Sequence, residues 1–367
     1  MSIKIWLKRA GIALAGLAVV VIVGFLGWRQ VQISNTVEQR PQIDPKMGVD
    51  ELFAHNIGGI SQWFHVRGLN RDNPVLLYLH GGPGTAMIPF SYLYQSEWEK
   101  DFIVVNWDQR GAGKTGLAND PKIIDPEITW DRMLADALEV TQFLKNRYGK
   151  QKIAILGHSW GSELGHGLVM AYPEHFTVYV GVGVVVNLVD NERVGYQKTL
   201  EMARQKNDVS AIAALESIAP YPEANGSVPD GKTSILRPIQ FEYGIGISHQ
   251  EIDVQDMMVN TALASPETSL LDIWALMDES ETPQGLVPDT LKFDARRLGT
   301  TFEMPVIYAL GRHDWQTPST LAAAFLDEVH APYKKVVWFE NSAHAPNVDE
   351  PEEFAKMMRS LVRPLAD

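Results

Sequence analysis

The sequence predicts an α/β fold: a mostly parallel sheet with helices on both faces, interrupted by a helical insertion and preceded by one N-terminal transmembrane helix. Three observations predict it. Short continuous apolar runs such as VLLYLH (75–80), FIVVNWD (102–108) and KIAIL (152–156) read as strands buried on both faces. Stretches with helical periodicity alternate with them, as in TWDRMLADALEVTQFLKNRYG, where Trp130, Leu134, Ala137, Leu138, Leu144 and Tyr148 share a face and Gly149 gives a stop. Between about 187 and 303 strand-like runs vanish, then return at PVIYAL (305–310) and KKVVWFE (334–340).

Taken in order, residues 1–29 form the first unit. Lys4, Lys8 and Arg9 precede Ala10–Trp28, 19 residues without a charge. A bilayer core of about 30 Å needs roughly 20 such residues as helix. A secretory signal has a shorter apolar stretch of roughly 7–15 residues and a small-residue cleavage site, which FLGWRQ does not offer. The segment is therefore expected to be an uncleaved signal anchor rather than a buried core helix. Three basic residues before the span against Arg29 after it put the N-terminus in the cytoplasm and the main domain outside. Residues 30–57, with Pro41 and Pro45, read as a polar connector. SQWFHV (61–66) then starts a sheet domain over 58–186 and 304–367, with VYVGVGVVV (178–186) as its last strand before the insertion. The insertion, 187–303, holds helix-like TLEMARQ, DVSAIAALESIA and LLDIWALM between Pro/Gly-rich loops.

Composition removes several function classes. The chain of 367 residues carries a formal charge of −13, and the first thirty residues hold four basic and no acidic side chains. Taking those four positive charges away from −13 leaves −17 on the rest, which argues against nucleic acid as a partner. With no cysteine there is no disulfide, thiolate zinc site or thiol nucleophile. No H-E-x-x-H occurs and the histidines are scattered, so neither metal nor cofactor is expected.

The chemistry concentrates around GHSWGS (157–162). A G-x-S-x-G between a strand and a helix forms a sharp turn that exposes its serine, here Ser159. A serine needs a general base oriented by a third group, and in such folds the acid and then the histidine follow later strands. PVIYAL runs into GRHDWQTP and KKVVWFE into NSAHAP, which makes Asp314 the acid and His344 the base; Asp190 is the alternative acid. His158 neighbours the serine and is expected to point elsewhere, and His166 and His330 are poorer candidates. HGGPG (80–84) directly follows a strand, so the oxyanion donors are expected to be the amides of Trp160 and Gly82, with Gly81 as the alternative. The Trp160 ring is expected to wall the pocket.

HGGPG, DQRGAGKT (108–115), GHSWGSELG, GRHD and AHAP, in this order across 58–186 and 304–364, resemble the proline iminopeptidases of the α/β-hydrolase superfamily (serine peptidase family S33). The resemblance implies an α/β-hydrolase fold with a helical cap and assigns the triad to Ser159, Asp314 and His344. It also implies that His80, Asp108, Gln109 and Arg110 support the site without touching the reacting atoms. Proline iminopeptidases are expected to hold the substrate's free amine with acids of the cap. Glu192, Glu201 and Glu242 are the candidates named here, although none matches the family's amine-binding pattern and most cap acids, Glu216 and Glu223 included, are expected on solvated faces.

These observations predict a membrane-anchored serine hydrolase that works through an acyl-enzyme on small peptides or amino-acid amides. Ester or lactone hydrolysis by the same residues is the alternative within enzymes. A non-catalytic ligand-binding protein of the same fold is the alternative outside them. The sequence leaves the oligomeric state open.

Overall fold

The computed structural model describes residues 3–250, 254–277, 286 and 292–367. Its first element is a single helix, α1 (Ile3–Gln39). The strands β1 (Val49–Ile57), β2 (Ile60–Gly68), β3 (Val75–Leu79) and β4 (Ile103–Asp108) follow. Helices α2 (Gly113–Ala118), α3 (Pro121–Ile124) and α4 (Trp130–Tyr148) lead to β5 (Ile153–His158), α5 (Trp160–Ala171) and β6 (Phe176–Val182). The insertion then contributes α6 (Leu188–Lys206), α7 (Val209–Ser217), α8 (Asp230–Glu242), α9 (Val254–Ala264) and α10 (Leu270–Met277). The chain returns to the sheet with β7 (Val306–Gly311) and β8 (Lys334–Phe339), each followed by helix.

Among the described residues one sheet of eight strands runs in the order β1-β2-β4-β3-β5-β6-β7-β8. β2 is antiparallel to both its neighbours, and the pairs from β4 to β8 are parallel. Successive side chains of a strand face opposite sides. Leu77, Leu79, Val105 and Trp107 therefore join one apolar core, with α4 and α5, while Leu76, Tyr78 and Val104 join another beneath Trp98 and Phe354. Both faces of the sheet are covered, which is why its central strands are predominantly apolar, β3 at every position and β4 except at the buried Asn106 and Asp108.

Two boundaries differ from expectation. The connector expected at 30–57 is mostly regular structure: α1 continues to Gln39, and 49–57 form β1. VDELFAHNI has mixed polarity because β1 is the sheet's edge and pairs only with β2, across the left-handed turn at Gly58-Gly59. The last strand before the insertion stops at Val182, not 186, because Gly183 adopts φ +54°. Within the insertion the three helices expected from sequence are present, and α8 and α9 join them. The residues 251–253, 278–285 and 287–291 of the predicted insertion lie outside the described residues.

The apolar part of α1 is unburied among the described residues. Leu14, Leu17 and Val20 are each at least 60% exposed, so a core-helix role is ruled out for it. Gly11–Gln39 is long and apolar enough to cross a membrane or to act as a signal sequence. Its far end, by contrast, is docked. Arg40 pairs with Glu267 through two hydrogen bonds of 2.5 and 2.9 Å and lies over the Tyr92 ring, and Arg29 donates to the Thr268 carbonyl.

Candidate active site

Every sequence-predicted catalytic residue lies just past the carboxyl end of a parallel strand, the edge at which open α/β sheets bind ligands. Ser159 follows β5, HGGPG follows β3, Asp314 follows β7 and His344 follows β8. β3 and β5 are direct neighbours, with Leu79 paired to Gly157, so the glycine-rich loop starts beside the serine turn.

Ser159 has φ +55° and ψ −123°. Such backbone costs a residue with a Cβ about 1–3 kcal/mol and persists only when the surroundings impose it. Here they do. The Ser159 N–H donates to the Val182 carbonyl at 2.9 Å, and the Ser159 carbonyl accepts from the Ser162 N–H at 2.7 Å and its hydroxyl at 2.6 Å. The flanking glycines answer to close backbone approach. A Cβ on Gly157 would lie 2.3 Å from the Gly161 carbonyl oxygen, and one on Gly161 would lie 2.0 Å from that of Leu79. α5 thus starts in backbone contact with the end of β3.

His344 and Asp314 are both buried, and their Nδ1 and Oδ2 atoms stand 2.9 Å apart. The Asp314 carboxyl also accepts from the Gln316 and Thr317 amides, at 3.0 and 2.8 Å, and from the Thr317 hydroxyl at 2.8 Å. The same hydroxyl oxygen is 3.0 Å from His344 Nδ1. Since the hydroxyl proton goes to Asp314, this network assigns a proton to His344 Nδ1 and leaves Nε2 as an acceptor. The ring is brought to the serine turn by β6. Val182 accepts the Ser159 N–H, and on the next residue, Gly183, a Cβ would lie 2.6 Å from the His344 ring. His158 spends its Nε2 on backbone, donating to the His344 carbonyl at 3.0 Å. Burial, then the neighbouring His344, lowers the His158 pKa to about 3, so it acts as a neutral strut.

The glycine-rich loop is tied to the turn by three side chains. His80 Nδ1 donates to the Gly81 carbonyl at 2.9 Å, and its Nε2 accepts the Gln109 N–H at 3.1 Å. The Gln109 amide donates to the His80 carbonyl at 3.1 Å and accepts from the Trp160 indole at 3.2 Å. Burial holds His80 neutral, with a pKa near 4. The Trp160 amide belongs to the first turn of α5, whose N–H groups have no partner within the helix. A Cβ on Gly81 would sit 3.0 Å from Ser159 Cβ, which places the loop against the serine. These are the positions from which amides could meet a developing oxyanion.

Three expectations change. The Trp160 ring does not wall a pocket: it is 1% exposed, packs edge-on against Trp130 and belongs to the core. Arg110, expected to support the site, is buried against Asp136, Glu127 and the Gly58 carbonyl, on the α4 side and at the β1–β2 turn. It does not reach the glycine-rich loop; Gln109 does that. Of the insertion acids, Glu201 and Glu242 lie on exposed helix faces, and Glu192 is buried but occupied by Arg237 and the Tyr221 hydroxyl. Asp190, the alternative acid, is bound to Arg193 and stands at the exposed start of α6. Sequence reasoning missed Ser162 and Thr317. Their signals were local: a second serine three residues after the first, and a threonine three after the aspartate in DWQT.

The residues 76–357 match the model of the alpha/beta hydrolase family. The chain belongs to that family. This hydrolase is 30% identical over 323 residues to a probable aminopeptidase, YbaC, of Bacillus subtilis (strain 168), covering 88% of this chain and 99% of the relative. It is 24% identical to the proline iminopeptidase of Heyndrickxia coagulans over 78% of this chain and 89% of that one. Among solved structures, the proline iminopeptidase of Mycobacterium smegmatis superposes with a TM-score of 0.61 at 19% identity, over 86% of the hydrolase and 98% of that chain. A membrane phospholipase A superposes with a TM-score of 0.62 at 13% identity over 99% of both chains, which takes in the N-terminal helix.

Two measurements check this geometry. The substitution Gly161→Ala should cost about 1–3 kcal/mol in chemical unfolding, the usual range for overpacking, whereas Gly231→Ala, with nothing within 4 Å of the added methyl, should be near neutral. Equal effects would contradict the close approach. The second concerns Asp108, whose buried carboxyl accepts the Lys114 N–H at 2.9 Å. Burial raises its pKa from 3.8 to about 7. The native state then keeps a proton that the unfolded chain releases, so stability falls as pH rises through that window. Asp108→Asn removes this slope, and its stability relative to wild type should climb between pH 4 and 7. A constant difference would show that native Asp108 ionises normally.

Proposed function

We propose that this hydrolase is a serine enzyme that works through an acyl-enzyme on small peptides or amino-acid amides, as a proline iminopeptidase-like aminopeptidase. The observation that carries the proposal is the buried His344–Asp314 pair, 2.9 Å apart, beside a serine held in a strained backbone at a helix N-terminus. Ser159 Oγ attacks the substrate carbonyl while His344 Nε2 takes its proton. Asp314, oriented by Thr317, fixes the imidazole and favours the imidazolium. The amides of Trp160 and Gly82, or Gly81 in its place, receive the oxyanion. His344 returns the proton to the leaving amine, then draws one from a water that releases the acyl group. The insertion over 187–303 acts as the cap that admits the substrate. The N-terminal helix is a single-pass anchor with its N-terminus in the cytoplasm and the hydrolase outside.

Carboxylic-ester or lactone hydrolysis is the second reading. It is favoured by the state of Glu192, Glu201 and Glu242: none offers a free buried carboxylate for a substrate amine.

Turnover of prolyl and alanyl amides, their N-blocked forms and short-chain esters by the full-length chain in detergent separates the readings. Free-amine amides should be cleaved in preference to blocked ones, and Ser159→Ala should lower kcat by at least about 10³-fold. Preference for blocked substrates or for esters would sink the aminopeptidase reading and leave the serine mechanism standing. Full activity of Ser159→Ala would remove the mechanism as well.

A further inference from the structure

The insertion carries an apolar helix face that packs against nothing described. α10 turns Ile273 and Leu276 inward, onto Phe90 and Ala262. Leu270, Leu271 and Trp274, spaced i, i+1 and i+4, form a stripe on the other side at 44%, 58% and 61% exposure. Isolated exposed leucines are ordinary, but three large apolar side chains on one helix turn mark a contact surface.

The position of α1 identifies the contact. Arg29 immediately follows the uncharged stretch that ends at Trp28, and it donates to the carbonyl of Thr268, two residues before Leu270. Where α1 enters a bilayer, the membrane boundary at Trp28–Arg29 therefore lies within one arginine's reach of the start of α10. Trp28 and Trp274 are residues of the kind that settle at that boundary.

Along α10 itself charge does not oppose the contact; the acids Asp278, Glu279 and Glu281 follow it in the sequence. The domain as a whole is acidic, and an acidic surface is repelled by anionic lipid. Both acids of 266–277 are turned inward and paired, however: Glu267 with Arg40 at 2.5 Å and Asp272 with Lys114 at 2.7 Å. The exposed stripe of α10 is left uncharged.

We infer that this face of α10 is a second membrane contact, with Leu270, Leu271 and Trp274 seated in the interfacial layer of the bilayer that α1 crosses. The inference rests on α1 being a membrane anchor. Its consequence is that the insertion is held in a fixed orientation by three attachments: the span, the Arg40–Glu267 pair and the α10 face. Phe90, against which α10 packs, lies six residues beyond the glycine-rich loop, so the lipid contact is one packing layer from the chain that forms the oxyanion site.

The chain contains no cysteine, so single introduced ones can be labelled uniquely. Nitroxide labels at Val20→Cys, Leu271→Cys, Trp274→Cys and Val209→Cys are compared in the full-length chain in phosphatidylcholine liposomes, by their accessibility to oxygen and to a water-soluble nickel chelate. Val209 is 79% exposed on α7 and serves as the aqueous reference. The labels at 20, 271 and 274 should favour oxygen, and that at 209 should favour nickel. Lipid-like values at 20 with water-like values at 271 and 274 would overturn the α10 contact alone. Shielding of 271 and 274 from both reagents would assign the face to a protein partner or a second copy, and would overturn it too. A water-like value at 20 would remove the membrane anchor itself, and the inference with it.

Discussion

The site depends on one close approach of backbone to backbone. α5 starts so near the end of β3 that Gly161 has no room for a methyl, its place being taken by the carbonyl oxygen of Leu79. Because β3 and β5 are hydrogen-bonded neighbours, that approach fixes the helix N-terminus against the glycine-rich loop. It also forces the intervening Ser159 into backbone that a residue with a side chain seldom adopts. Strain here is sustained by a covered sheet on one side and a buried helix on the other.

Around this turn, buried groups are paired so that each has one job. His80 and His158 are buried and kept neutral, and each spends its ring nitrogens on backbone: His80 on Gly81 and Gln109, His158 on the carbonyl of His344. Gln109 closes the circuit by bonding both His80 and the Trp160 indole. Of these three histidines only His344 has a carboxyl partner, and Thr317 holds that carboxyl in place. An imidazole whose Nδ1 is set on a carboxyl is the arrangement that orients a general base.

The elements of the sheet were legible because each central strand is a short, predominantly apolar run and α4 carries an apolar stripe. β1 was not, because an edge strand with one neighbour keeps polar residues on both faces, as VDELFAHNI does. The order of serine, aspartate and histidine was readable from the strand ends that precede them. The direction of the Trp160 ring was not, since a residue beside the nucleophile can face pocket or core and only Gln109 and Trp130 decide it. Arg110 was legible as a supporting residue but not as belonging to the α4 side, because its partners lie 17 to 52 positions away in the chain. The insertion's acids were likewise readable as a group. That Arg237 takes Glu192 could be learned only from the packing of α8 against α6.

The account stands on Ser159 being the residue that bonds to the substrate's acyl carbon. Peptide mapping by mass spectrometry after the full-length chain reacts with a fluorophosphonate tests this most directly. The account predicts one phosphonyl adduct, on the peptide carrying GHSWGS and at Ser159, absent from Ser159→Ala. An unmodified Ser159 in a preparation that hydrolyses substrate, or an adduct on another residue, would contradict it.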